Sequence, residues 1–262
     1  GNDIVNINAG ATIDNVSINT GAGVGTVNIN AGATVKKVDI TTGAENDIVN
    51  INSDITAPAT TPSATQSNII TGAGSDEVNI ASGVTLTRTV IDMGAGEDTI
   101  ELKGNSDTDR ITFKGSDLYT DDAGYTANDI DHVTITNTTF MKSDDGRLSS
   151  VRTGGGDDEI TVKEGTVFQD FSFIAAGDGK DTINLEDGAK FDQASVRADA
   201  GNDIINVNGA EFQGPNAGIH GGDGGDQIFI NSGTFNNAVI NGDAGDDLIS
   251  VKQGVNLNNT TI

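Results

Sequence analysis

The chain has 262 residues and a formal net charge of −25, from 39 acidic against 14 basic side chains, with 35 glycines and neither cysteine nor tryptophan. That balance excludes nucleic acid and anionic membrane surfaces as partners, because both are held through phosphate groups neutralised by Lys and Arg. The lack of cysteine excludes disulfides and thiolate metal sites, and no apolar run reaches the ~18 residues of a membrane span.

The opening residues, GNDIVNINAG, set a pattern that the rest of the chain repeats. Asp3 is followed at alternate positions by Val5 and Ile7, the period of a strand with one buried face. These first residues already belong to the repeat, so the sequence reads as an excerpt of a longer chain. After a glycine-bearing turn comes a second apolar set, Ile13, Val16 and Ile18, and then the unit begins again. Gly25 takes the aspartate's place in the second unit. Asp47, Asp76, Asp98, Asp131, Asp158, Asp181, Asp203, Asp226 and Asp247 hold it afterwards. The steps are 22, 22, 29, 22, 33, 27, 23, 22, 23 and 21 residues.

Each of these positions is followed by the same aliphatic pair, from Val27 and Ile29 through Val133 and Ile135 to Ile228 and Ile230. The second set returns as Val35, Val38 and Ile40, as Phe168, Phe171 and Phe173, as Phe191, Ala194 and Val196, and as Phe235, Ala238 and Ile240. Each unit therefore holds two short strands with glycine-bearing turns between them. One unit cannot bury its apolar face alone, whereas a stack shares a continuous core. The expected fold is all-β: a single parallel β-solenoid over residues 1–262, of about eleven coils of ~22 residues. Three segments break the spacing and read as insertions. Residues 53–67 are rich in Thr, Ser, Ala and Pro, residues 115–129 stand where a glycine turn is due, and residues 141–146 make a smaller excursion.

The aspartate column sits just after a glycine pattern. GGDGGDQIF at 221–229 matches the nonapeptide GGxGxDxUx throughout, and TGAGSDEVN, MGAGEDTIE, TGGGDDEIT, AGDGKDTIN, ADAGNDIIN and GDAGDDLIS are close variants. In these turns the chain resembles the RTX (repeats-in-toxin) calcium-binding β-roll family, as found in type I-secreted bacterial surface-layer proteins and adhesins. The resemblance implies several calcium ions in one row along one edge, held between neighbouring coils by Asp carboxylates and glycine-segment carbonyls. Carried over residue by residue, the metal set is Asp47, Gly74, Asp76, Gly96, Asp98, Gly156, Asp158, Gly179, Asp181, Gly201, Asp203, Gly222, Gly224, Asp226, Gly245 and Asp247. The physics agrees. Carboxylates stacked at the ~4.8 Å spacing of strands repel one another, and no Lys or Arg column compensates them. Calcium takes six to eight oxygens, and bent glycine backbones expose carbonyls to it.

The family usually carries two such turns per coil, and here there is one. Gly25 removes a carboxylate and Glu45 replaces a turn glycine, so the N-terminal end of the row should be poor. Residues 115–129 should break the row into two blocks.

No catalytic set stands out. His220 precedes a metal turn, and His132 with Asp131 and Tyr125 is the one constellation worth naming. Asn6, Asn28, Asn50, Asn79, Asn184 and Asn206, with Asn8, Asn30, Asn52 and Asn208, form outward columns that suit amide ladders. The sequence thus points to an extracellular, calcium-stabilised structural repeat of a surface-layer protein or adhesin, not an enzyme. Its partners would be calcium, neighbouring domains or copies, and surface glycan. The alternative is a carbohydrate-binding or polysaccharide-processing β-helix, or an ice-binding adhesin module. Mixed residues in the turns, such as Asp178, Lys180 and Asp223, argue against the last.

Overall fold

The computed structural model describes residues 1–58, 66–121 and 129–262, and places them in a parallel β-solenoid. No helix occurs among the described residues. Each coil pairs in parallel with the next, like on like. Val5, Asn6 and Ile7 lie beside Val27, Asn28 and Ile29, which lie beside Val49, Asn50 and Ile51, which lie beside Val78, Asn79 and Ile80.

The coil has three strands where the apolar pattern suggests two. In the first coil they are Asp3–Ile7, Thr12–Ile13 and Val16–Asn19. The first and second columns form a 20-stranded sheet, joined where Ile204–Gln213 and Gln227–Asn236 run on unbroken, and the third forms a 10-stranded sheet. What divides the second apolar set is a single corner residue in left-handed backbone: Asn15 (φ 57°), Arg88 (54°), Gln193 (53°), Asn237 (52°) and Asn259 (50°). Asn is enriched at such φ because its short polar side chain tolerates it. One corner residue hardly disturbs the alternation of apolar positions, so the pattern hides the bend.

The same corner corrects the expected core of one coil. Phe168 is fully buried, but Phe171 falls on the corner (φ 67°) and is 45% exposed. Phe173 is half-buried on the outer face, and Ile174 takes the inward place. Inside, Phe113, Phe140, Phe168, Phe191, Phe212 and Phe235 form a column of stacked rings with centroids 4.3–5.3 Å apart. Each such burial contributes about 1.5–3 kcal/mol, and parallel register makes every coil depend on its neighbours for it.

Two insertions are narrower than their spacing suggests. Within 53–67, Ile55–Thr56 is a second-column strand with Ile55 fully buried, and Ser67 opens a third-column strand. Within 115–129, Asp117–Tyr119 is a third-column strand beside Thr89–Ala95 and Ser150–Gly155. The remainders of these insertions, 59–65 and 122–128, lie outside the described residues. The excursion at 141–146 is clipped to the stack by ions: Arg88 pairs with Asp145, and Lys114 with Asp144 at 2.8 Å.

Outside, the asparagines form amide ladders. Asn28 donates to Asn6 at 2.8 Å, Asn50 to Asn28 at 2.7 Å, Asn79 to Asn50 at 3.0 Å and Asn206 to Asn184 at 3.0 Å.

Candidate metal centre

The turn from each third strand to the next coil is built by main chain packed against main chain. In GGDGGD, Gly222 has φ +119° and Gly224 φ +143°. A Cβ on Gly224 would lie 1.4 Å from the Gly201 carbonyl oxygen, and one on Gly222 1.7 Å from that of Asp199. Neither place in this coil has room for a side chain, and positive φ favours glycine there, although Asp199 and Asp243 share the register of Gly222 at φ 75° and 68°.

The position two before each aspartate forms a row. Gly74, Gly96, Gly156, Gly179, Gly201, Gly224 and Gly245 occupy it with φ between +130° and +158°. Each of these glycines packs on the carbonyl of the coil before, for example Gly179 on Gly156 and Gly245 on Gly224. Glu45 keeps the glycine-like backbone (φ 96°) and its carbonyl abuts Gly74, so its replacement of a glycine does not interrupt the carbonyls.

The aspartates form a second row, buried rather than lining the rim. Asp47, Asp76, Asp98, Asp131, Asp158, Asp181, Asp203 and Asp226 are 0–3% exposed. One carboxylate oxygen of each, Oδ1, accepts the amide of the equivalent residue one coil earlier. Asp181 Oδ1 takes the Asp158 amide at 2.9 Å, Asp203 takes Asp181 at 2.8 Å, and Asp226 takes Asp203 at 2.9 Å. The other oxygen, Oδ2, of Asp47, Asp76, Asp98, Asp158, Asp181, Asp203 and Asp226 is buried without a hydrogen-bond partner among the described residues. Asp247, in the last coil, is partly exposed and accepts the Asp226 amide at 3.0 Å.

Burial without a counterion has a predictable result. It pushes Asp98 and Asp181 up to about 8, Asp131 to about 7 and Asp203 to about 6, from the usual 3.8. Burial raises Asp76, Asp158 and Asp226 as well. The accepted amide opposes the shift in each case, and neighbouring aspartates add to it. A row of this kind either holds protons or holds cations.

The aspartate row crosses the long insertion, where the sequence predicts a break into two blocks. Asp131 Oδ1 accepts the Asp98 amide at 2.9 Å, and Asp158 Oδ1 accepts the Asp131 amide at 2.8 Å. The Asp129 carbonyl lies against Gly156 where a glycine carbonyl is otherwise found, and its carboxylate takes the Gly96 amide. The Asp121 carboxylate accepts the Gly155 amide at 3.2 Å and fills the space beside Gly154. Asp131, Asp129 and Asp121 thus take places in the rows on either side of residues 122–128. Among the described residues, the Asp121 side chain, not a carbonyl, lies against Gly154 in the row nearer the third strand.

A further column escapes the motif. The Thr20 hydroxyl donates to the Thr42 carbonyl at 3.0 Å, Thr42 to Thr71 at 3.0 Å, Thr71 to Met93 at 2.7 Å and Thr153 to Ala176 at 2.8 Å. The constant phase of these threonines, five residues before the aspartate, was the available signal. At Gly25 the Thr20 hydroxyl and Asp47 Oδ1 lie where the missing side chain would be, and Asp47 Oδ1 accepts the Gly25 amide at 2.6 Å.

Among the described residues no three His, Cys, Asp or Glu side chains converge as a metal cage. Any ion here must draw largely on main-chain carbonyls, with one carboxylate oxygen per coil. All these donors are oxygen, the set of a hard cation.

The histidines stand apart. Asp131 is buried, whereas His132, next along the strand, faces out and lies 3.5 Å from Glu159. Tyr125 lies outside the described residues. His220 lies 3.2 Å from Asp243.

No protein-family model matches the sequence, and no curated protein matches it. Among solved structures the chain is similar to a hyperactive, Ca2+-dependent, β-helical antifreeze protein from an Antarctic bacterium, at 19% identity and a TM-score of 0.46. The match covers 97% of this chain and 85% of that one.

Proposed function

We propose that this chain is a calcium-stiffened structural repeat, working outside the cell in a bacterial surface-layer protein or adhesin. The observation that carries the reading is the file of buried Asp Oδ2 atoms without a hydrogen-bond partner among the described residues, in turns whose glycine carbonyls stack from coil to coil. Calcium accepts irregular sets of six to eight oxygens, and magnesium requires a tighter octahedron and keeps its waters. The residues that would hold it are those of the sequence-derived set, from Asp47 to Asp247, joined by Asp131 and Asp129.

The compartment follows from the same chemistry. At cytosolic calcium the row stays empty and its charges resist stacking. At millimolar calcium outside the cell, binding energy becomes folding energy. The likeness of the turns to the RTX nonapeptide supports that reading. Circular dichroism in chelator and in millimolar calcium tests it. β-Signal and thermal midpoint are expected to rise with calcium and little with magnesium, and identical melts in all three conditions would refute the proposal.

Single substitutions separate the row from ordinary surface acids. Asp14 is exposed and pairs with Lys36 at 3.0 Å, so Asp14→Ala in calcium should cost less than ~1 kcal/mol. Asp203→Ala removes a metal oxygen and strands the Asp181 amide, itself a loss of ~1–3 kcal/mol. Urea unfolding in calcium compares them, and equal, small losses would count against the assignment.

A further inference from the structure

In a chain this acidic, an arginine normally finds a carboxylate. Of the five arginines, Arg88, Arg110 and Arg147 pair with Asp145, Asp107 and Asp117. Arg152 and Arg197 make no ion pair among the described residues. Both instead lie over the ring of Phe173, at 4.9 and 5.1 Å from its centre. Arg152 also lies over Tyr119 and donates to its hydroxyl at 2.7 Å, which leaves Arg197, exposed, with no side-chain hydrogen bond among the described residues. His220 sits beside Arg197 in the next coil.

Arg197 and His220 line a cleft on the outer face of the third strand column. Phe173, Ser195, Gly218 and Val239 lie side by side in consecutive coils. Ser195 and Gly218 are too small to level that row, and a cleft of about 380 Å³ opens there, lined by Ser195 and Val239. Its volume is within the ~300–1,000 Å³ of small-ligand sites. Gln193, at its corner, and Asn216, in the turn before Gly218, supply amides, and Arg197 supplies positive charge. Phe171 lines one end, 45% exposed and held at φ 67°, where a bulky side chain is strained by about 1–3 kcal/mol. That strain presents an aromatic face to solvent in the cleft that Arg197 also lines.

We propose that this cleft binds an acidic sugar residue of a glycan chain, its carboxylate on Arg197 and its ring against Phe171. A guanidinium fork matches a carboxylate in two parallel hydrogen bonds. The Gln193 and Asn216 amides both donate and accept, as sugar hydroxyls require. The flanking acids do not fill the site: Asp243 is engaged with His220, and Asp199 lies within the field of Arg197, Arg152 and His220 without pairing with any. A neutral sugar would leave Arg197 unanswered, so charge, not only shape, selects the ligand.

Calorimetric titration of the calcium-loaded full chain tests this, with hyaluronan tetrasaccharide as the acidic probe and chitotetraose as its neutral counterpart. The acidic probe should bind saturably, and the neutral one at least tenfold more weakly. Arg197→Gln and Gln193→Glu, both at exposed positions, should each weaken the acidic probe at least tenfold with thermal midpoints unchanged. Absence of saturable binding, equal binding of the neutral probe, or unaltered binding by both variants would overturn the proposal. So would a single-stranded oligonucleotide binding as tightly as the tetrasaccharide, since that would mark mere attraction of polyanions.

Discussion

Replacing Gly224 by alanine is expected to destabilise the solenoid by more than ~3 kcal/mol, the range reserved for changes that the backbone cannot absorb. The added methyl would lie 1.4 Å from the Gly201 carbonyl oxygen, at a φ of +143° that L side chains rarely adopt. Relief requires pulling two coils apart, and with them the hydrogen bonds that join Asp203, Asp226 and Asp247. Gly10→Ala is the control. Gly10 also has positive φ, +81°, but nothing lies within 4 Å of its Cβ position. It should lose only the conformational cost, about 1–2 kcal/mol. Urea unfolding of the two variants in calcium measures the difference, and similar losses would show that coil-to-coil contact at the turn is not limiting.

The second large effect is an inverted pH dependence in chelator. Most proteins lose stability in mild acid because their native carboxylates are held ionised. Here burial raises the folded-state values of Asp98, Asp131, Asp181 and Asp203 to between about 6 and about 8, above the 3.8 of a free carboxylate. The metal-free native state therefore binds more protons than the unfolded chain throughout that interval. Its stabilisation is full below pH ~4 and is lost as pH rises through ~6 to ~8, at about 1.4 kcal/mol per pH unit for each extra proton held. Thermal midpoints in chelator should fall from pH 5 to pH 8. In saturating calcium the trend should reverse, because cation and proton compete for the same oxygens. A midpoint in chelator that climbs with pH would mean that these carboxylates are ionised and solvated when the metal is absent.

How much of this was legible in the sequence depended on periodicity. The aspartate column, the paired aliphatics such as Val27 and Ile29, and the Asn ladders each keep one phase, and parallel stacking converts phase into contact. The third strand was not legible, because Asn15 and its equivalents turn the chain in a single residue and leave the apolar alternation almost intact. Phe171 was misplaced for the same reason: its spacing is that of a core residue, and only its backbone conformation turns it outward. Asp129 and Asp121 were invisible because they reach the row from either side of an insertion with no glycines at the right places. The burial of the aspartates was hidden too. A polar residue between a turn and a strand reads as rim, and three-dimensional packing puts it inside. The cleft beside Arg197 draws on several coils and has no period to betray it.

The central claim is that the aspartate row is a cation row, and calorimetric titration of calcium into the metal-free chain at pH 7 tests it most directly. Repeating the titration in buffers of different ionisation enthalpy counts the protons released. The account predicts that several calcium ions bind per chain and that protons leave as they bind, because Asp98, Asp131 and Asp181 are partly protonated at that pH without metal. Binding should persist through the coils that flank residues 122–128, since Asp129 and Asp131 carry the row across them. No heat of binding, or binding of a single ion with no proton release, would contradict it.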